Sequence, residues 1–338
     1  MENHLKNKRF TYILVGSLVL LAISFASALM VGRFGIKPSS FFGALFGNDG
    51  YDIEKSIIIN LRLPRTIIAA LVGAALSVSG LLYQETFRNK LVSPDLLGVS
   101  SGAGVGAALA IVLGLPAFFI SGFAFVFGLL TVVATLFVAK VFRNNSSVVL
   151  TLSGIIVGGL MGSVLSFIKY LADAETTLAS ITFWLMGSFE SSVMNDVWYL
   201  LPITVICLTV TLLISYRINV VALGKEEAQT KGINYVFYRT IIVLVATLLT
   251  ASSVAFAGTI SWIGLVIPHI VRLCVGRDTT KTIPLSITFG ASFMIISDIL
   301  CRSFTAAEIP ISAITGFFGT IIFIVIMYAR RNTLHEND

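Results

Sequence analysis

Charge is scarce in this sequence. Only 12% of its 338 residues are Asp, Glu, Lys or Arg, against about 25% in a soluble globular domain, so a soluble fold is excluded. Histidine and cysteine are as rare, with three of each. Cys207, Cys274 and Cys301 stand singly in or beside apolar stretches, which argues against a disulfide framework and against a metal cluster. His4, His269 and His335 are equally scattered, and no Ser/His/Asp set can be assembled from them. The phosphate cradle G-x-x-x-x-G-K-[ST] is missing too, since Gly224-Lys225 has neither the upstream glycine nor the following Ser/Thr. The chain is therefore not expected to be an enzyme or to bind a metal or other cofactor by itself. A net charge of +6 does not point to nucleic acid, because no Lys/Arg run is interleaved with aromatics.

What is abundant is apolar sequence, 56% of the residues, gathered into about ten runs long enough to matter to a bilayer. They cover 10–30, 66–83, 96–115, 116–142, 148–168, 197–216, 238–257, 260–273, 282–300 and 311–329. A strand with open edges would leave backbone groups unsatisfied in lipid, so each run is expected to be helical. The fold class is an all-α polytopic membrane protein. In the first run Ala26-Ser27-Ala28 could pass for a signal-peptidase site. The run is about 20 residues, however, beyond the 7 to 15 of a signal-peptide core, so a retained span is expected. The run 260–273 is short and needs its neighbours to cross.

With the N-terminus inside, a ten-span chain leaves seven basic residues outside: Arg33, Lys37, Lys55, Arg62, Arg65, Lys169 and Arg302. The other 16 of the 23, from Lys6, Lys8 and Arg9 through Arg143 to Arg330 and Arg331, fall inside. That bias predicts cytoplasmic termini. It also places inside the one long charged island, Arg217 to Arg239. Within the island Lys225 to Lys231 are good helix formers bracketed by Gly224 and Gly232, which predicts a short helix along the membrane surface ending at a C-terminal glycine. Spacing alone leaves it open whether that helix is a linker or a docking surface. Four spans lie on each side of the island and its preceding span, and the second four start from the opposite face, as in an inverted repeat. Small residues recur at one-turn spacing in Gly98 to Gly106 and Gly154 to Gly162, which predicts close helix packing with some lining of a pathway.

Five segments in order resemble the iron-chelate and cobalamin permease family of ABC importers. They are LRLPR at Leu61 to Arg65 with Gly73-Ala74, Ser79-Gly80 and Gln84 after it; RNKLVSPDLLGVSSGAG from Arg88 to Gly104; ALG at Ala222 to Gly224; GTISWIGLVIPHIVRLCVGRD from Gly258 to Asp278; and SDILCR followed by EIPISAITG from Glu308 to Gly316. The sequence departs from the family at Asn89-Lys90-Leu91, where Asn-Pro-Leu is usual, and at Ser312 and near Ile321.

The resemblance implies a pair of ten-span subunits, two copies or a copy with a close paralogue, sharing a path for an iron(III)-siderophore, haem or cobalamin-like chelate. Two ATPase subunits, which use ATP and Mg, would bind from inside. A substrate-binding protein would dock outside. Glu226, Ala228 and Gly232 match the family's E-x-A-x-x-x-G pattern, so Gly224, Glu226, Glu227, Ala228 and Gly232 are the expected ATPase-coupling residues, within the segment 219–235. Arg62, Arg65 and Arg302 are the expected docking residues, although Arg302 could instead pair with Asp298 at i, i+4. Ser163, Ser166, Trp184 and Gly187 are expected along the path or at its gate, with Ala174 to Glu190 resembling the family's short outer gating helix. A plain interfacial helix anchored by Trp184 is the alternative. Pro268-His269 resembles the family's Pro-His at a helix end, where the imidazole would cap carbonyls. An ion-coupled secondary transporter of a small polar solute is the alternative function, but it needs ionisable groups in mid-span, and almost none are present.

Overall fold

The computed structural model describes residues 2–46, 50–142, 147–305 and 307–329. Arg143, Arg330, Arg331 and His335 lie outside the described residues. The helices in chain order are α1 (Glu2–Met30), α2 (Pro38–Phe46), α3 (Asp52–Ser56), a π-helical stretch (Ile57–Arg62), α4 (Leu63–Phe87), α5 (Val99–Val112), α6 (Ala117–Val141), α7 (Ser147–Leu171), α8 (Thr177–Met186), α9 (Met194–Leu213), α10 (Ser215–Leu223), α11 (Lys225–Thr230), α12 (Tyr235–Ala257), α13 (Ile263–Val275), α14 (Thr279–Ser303) and α15 (Ile311–Ala329). Eight helical segments are long and apolar enough to cross a membrane. The remaining two expected spans are the shorter apolar helices α5 and α13.

One difference from expectation lies before α4. The second apolar run begins at 66, but the chain is helical from Asp52 and runs unbroken into α4. Pro64 explains the form of the junction, because a residue without an N–H cannot continue the four-residue ladder. The helix widens by a π turn, in which the Leu63 amide reaches back to Ile58 O.

Burial separates a core from a periphery. In the most apolar window 83% of the helix containing α4 is buried, and 72% of α12, against 17% of α1 and 22% of α7 and α15. The centre is thus α4 flanked by α12, α13 and α14, and small residues make the close approaches possible. A Cβ on Gly80 would collide with the carbonyl of Gly264 on α13, and one on Gly73 with the carbonyl of Gly290 on α14. Gly102 and Gly106 of α5 sit as tightly on α6, whereas Gly159 and Gly162 of α7 have nothing within 4 Å. The glycine repeat of 98–106 is a packing device, and that of α7 is only partly so.

Hydrogen bonds fix how the spans run. α1 and α14 are parallel, since Ser17 pairs with Thr288 at 2.9 Å and Arg302 donates to Ala28 O at 2.5 Å. The starts of α12 and α14 lie at the end that carries α11, where Asn219 of α10 donates to Asp278 at 2.8 Å and accepts from Thr279 N at 2.8 Å. At that tie burial pushes the Asp278 carboxyl up, but the hydrogen bonds from Asn219 and Thr280 outweigh it and hold the group below its ordinary value. The opposite end carries α8. By this geometry α4 runs from the α8 end to the α11 end and α12 runs the other way. The short helices α5 and α13 hold second place in their groups of four, as an inverted repeat requires.

The α4–α13 crossing gives a direct test. Gly80→Ala is expected to lower the melting temperature of the purified permease, an overpacking cost of about 1–3 kcal/mol. Gly122→Ala, with nothing within 4 Å of the new methyl, should not lower it. Equal melting curves for Gly80→Ala and wild type would contradict the packing account.

Candidate translocation site

Two helices that stop short of spanning need partners for the backbone of the segments that complete them. Those segments are the loop from Arg88 to Gly98 before α5 and the turn from Gly258 to Trp262 before α13. They meet at Gly264, whose missing side chain makes room for the ring of Pro94. One side chain serves both. Gln84, buried on α4, donates from Nε2 to Val92 O and to Gly264 O, each at 3.2 Å. Its Oε1 accepts from Nη2 of Arg272 on α13, whose Nη1 also reaches Glu85 at 3.1 Å.

Between these two beginnings lies a cavity of about 480 Å³. Ser93, Asp95, Ser100 and Ser101 line it from the α5 side, and Thr259, Ser261 and Trp262 from the α13 side. Leu165 of α7, Leu185 of α8 and Thr250 of α12 close the rest, and no Lys or Arg is among its lining residues. Asp95 is exposed to the cavity yet surrounded by protein. Its Oδ1 accepts from Ser100 N at 2.7 Å and so caps the start of α5. A hydroxyl-rich basin with one carboxylate can exchange hydrogen bonds with a polar solute without gripping it.

Of the expected path residues, Gly187 does not line the cavity but packs against Thr259, which does. It ends α8 at φ +74°, accepts from Ile311 N at 3.1 Å, and is followed by Ser188, whose amide donates to Ala257 O at 3.1 Å. Thr259 Oγ1 donates to Leu185 O. The end of α8 is thereby tied to α12, to the turn before α13 and to α15. Trp184 lies on α8, and its carbonyl abuts Gly258. Ser163 and Ser166 are elsewhere, on the exposed face of α7, with their hydroxyls bonded to Gly159 O at 3.0 Å and Gly162 O at 2.9 Å. Within one chain it is Leu165, not these serines, that reaches the cavity.

The expected coupling segment forms α11. Gly224 precedes it at φ +119°, Glu226 and Glu227 are exposed in its first turn where the helix dipole favours acids, and Ala228 is fully buried. Gly232 stands just beyond at φ +69°, with its own amide bonded to Gln229 O at 3.0 Å and the Ile233 amide to Ala228 O at 2.9 Å. These bonds satisfy the last carbonyls of the helix in the left-handed manner that glycine permits.

The three arginines expected to dock a binding protein are at the α8 end but are buried, at 5% (Arg62), 8% (Arg65) and 5% (Arg302) exposure. Arg62 donates from Nη1 to Leu29 O and Met30 O, both at 2.8 Å, and Arg302 to Ala28 O, so the two guanidinium groups cap the C-terminal carbonyls of α1. Arg65 bonds Asp298 through Nε at 2.8 Å and both oxygens of Glu308 at 2.8 Å. Arg302 also pairs with Asp298 at 3.3 Å, as its i, i+4 spacing allowed. His269 is a correction. It lies in the interior of α13 and not at its end, edge-on to Phe323 at 5.7 Å.

The segments that hold the cavity, 88–104 and 258–278, stand out in the sequence, but nothing in either one shows that they face each other. The available signal was that closely spaced small polar residues, Ser93 and Asp95 in one case and Thr259 and Ser261 in the other, stand just before the residues that form α5 and α13.

A polytopic helical core with two short helices meeting over a polar cavity, and a short capped helix at one end, is the architecture of a multi-pass membrane protein with polar space inside it. A solved structure of a metal-chelate type ABC transporter, captured facing inward, matches with a TM-score of 0.86 and 34% identity, covering 94% of this chain and 99% of that one. The class is therefore that of an ABC importer permease, a transport subunit and not an enzyme. The chain belongs to the FecCD transport family, whose pattern it matches over residues 20–329. It is 35% identical over 331 residues to the molybdate import system permease protein MolB of Haemophilus influenzae, covering 96% of this chain and 98% of that one. It is 33% identical over 332 residues to the vitamin B12 import system permease protein BtuC of Klebsiella pneumoniae, covering 97% of each.

The buried arginines generate a test. Arg65→Ala leaves the carboxylates of Asp298 and Glu308 short of their main partner and should destabilise the permease by about 3–5 kcal/mol. Thermal unfolding of the permease with no binding protein present will register this. A residue that served docking alone would leave that transition unmoved.

Proposed function

We propose that this permease carries an iron(III)-siderophore or a similar metal chelate into the cytoplasm, driven by ATP hydrolysed on separate subunits. The observation that carries the substrate reading is the likeness, over nearly the whole of both chains, to a metal-chelate type transporter. The 35% identity to a molybdate permease favours a second reading, a tetrahedral oxyanion. The absence of any Lys or Arg from the cavity lining weighs towards the chelate.

In this reading two ten-span subunits, identical or closely related, form one path, and the α11 end faces the cytoplasm in keeping with the bias of basic residues. Both termini then lie in the cytoplasm of a multi-pass cell-membrane protein. α11 seats in a groove of the ATPase through Glu226 and Glu227, while buried Ala228 anchors it to the bundle. α10 passes the displacement to α14 through Asn219 and Asp278. A substrate-binding protein docks at the α8 end. There Arg62, Arg65 and Arg302 hold the ends of α1, α4 and α14 in place, and the exposed Arg33, Lys37 and Lys55 offer charge to an acidic partner.

Proteoliposomes holding the permease with its ATPase and binding protein should accumulate a radiolabelled ferric hydroxamate, and not molybdate, when ATP is supplied. Molybdate uptake without chelate uptake would select the second reading. Gly232→Val, which forces a branched side chain into φ +69° at a cost of about 1 kcal/mol or more, should abolish uptake by uncoupling or disassembly. Unchanged uptake and unchanged substrate-stimulated hydrolysis would contradict the role given to α11.

A further inference from the structure

Among the described residues only two other than glycine have positive φ, Arg88 and Trp262. Arg88 has an ordinary left-handed conformation at the end of α4, with φ 54° and ψ 30°. Trp262 does not. Its φ of 73° and ψ of −35°, with Ile263 N bonded to Ser261 O at 2.9 Å, place it at the centre of a γ-turn, a form that is rare and strained for a residue with a side chain. Such a conformation persists only where the surroundings over-determine it. Glycine would sit there without strain, yet the position holds the largest side chain of all.

The surroundings account for this. Trp262 lines the cavity on one side. On the other its indole stands edge-on to Phe323 of α15 at 6.2 Å. It fills a slot left by Gly319, where an added Cβ would lie 2.6 Å from Trp262 Cβ and 3.1 Å from its Cγ. The Trp262 carbonyl accepts from Leu265 N at 3.0 Å and Val266 N at 2.9 Å, so the same residue starts α13. Three residues upstream, Thr259 holds the end of α8 through Leu185 O. Relaxing the γ-turn therefore moves the cavity wall, the start of α13 and the tether to α8 together.

We propose that Trp262 is a positioning residue for translocation, a strained pivot whose indole, lodged against Gly319 and Phe323 of α15, holds the wall between Thr259 and Leu265 closed over the cavity. When α15 withdraws, the slot empties, the turn relaxes and the wall opens. The inference rests on the importer reading above and names the element that gates the cavity.

The test uses the permease assembled with its ATPase in lipid, with Cys207, Cys274 and Cys301 replaced by serine and one reporter, Ser101→Cys, inside the cavity. The probe is a charged methanethiosulfonate reagent. With the pivot removed in Trp262→Ala, reporter labelling without nucleotide should quicken about 10-fold, and uptake per ATP hydrolysed should fall by a similar factor, as a minor open state becomes a major one. Trp262→Phe keeps a ring in the slot and should restore both. Gly319→Ala leaves Trp262 in place but crowds its slot, and should reproduce the faster labelling. It decides the matter should Trp262→Ala fail to assemble. Wild-type labelling in both Trp262→Ala and Gly319→Ala would overturn the proposal, as would a Trp262→Phe variant as impaired as Trp262→Ala. Failure of the importer reading looks different, because the wild-type complex would then show no ATP-driven uptake while labelling still reported on the pivot.

Discussion

The structure depends on a requirement set by lipid, that backbone groups in segments too short to span must find partners inside the protein. Gln84 meets it at the centre. With one amide it holds the carbonyls of Val92 and Gly264, and so joins the two loops from which α5 and α13 begin. With its oxygen it engages Arg272, which brings the far part of α13 back to α4. A net hydrogen bond is worth only about 1 kcal/mol, but a buried group left without one costs about 1–3. The junction is held less by the strength of any bond than by the penalty for breaking it, and that allows a polar cavity to exist beside it.

The same logic governs the α8 end. A helix C-terminus presents carbonyls with no partner of their own, and α1 ends where Gly32 and Gly35 follow. Arg62 and Arg302 reach over from the π-helical stretch before α4 and from α14 to cap its last carbonyls. Guanidinium suits this role because it stays charged and offers several donors in one plane. Arg65 then balances Asp298 and Glu308. The arginines belong to the frame that presents the outer surface, and a partner's influence on them must pass through the segments they join.

Much of this was legible from sequence, and the reasons are specific. The eight long spans follow from apolar length, which lipid enforces directly. α11 and its end at Gly232 follow from local propensity and the left-handed preference of glycine. The run 260–273 announced its own shortness. What could not be read was tertiary. Arg62 looks exposed in a sequence because arginine usually is, and only the fold brings the end of α1 to it. The helical onset at Asp52 was hidden because its mixed polarity resembles a loop, and the π turn before Pro64 leaves no pattern of period 3.6. Ser163 and Ser166 were expected along the path because they are polar in an apolar span; they stand on the exposed face of α7 with their hydroxyls bonded to the preceding turn, a face that a path shared between two subunits would use. The cavity draws most of its polar lining from two segments more than 150 positions apart, 93–101 and 259–262, which no window of sequence brings together.

The central claim is that a substrate passes the junction where α5 and α13 begin. The most direct measurement is a cryo-electron microscopy structure of the complete transporter, arrested during turnover with a ferric chelate. The account predicts density for the chelate within contact distance of Ser101, Ser261 and Trp262, with the loop 88–98 and the turn 258–262 displaced relative to each other. Chelate density that runs through the assembly without touching either segment, with Gln84 still bridging Val92 and Gly264 in every state, would contradict it.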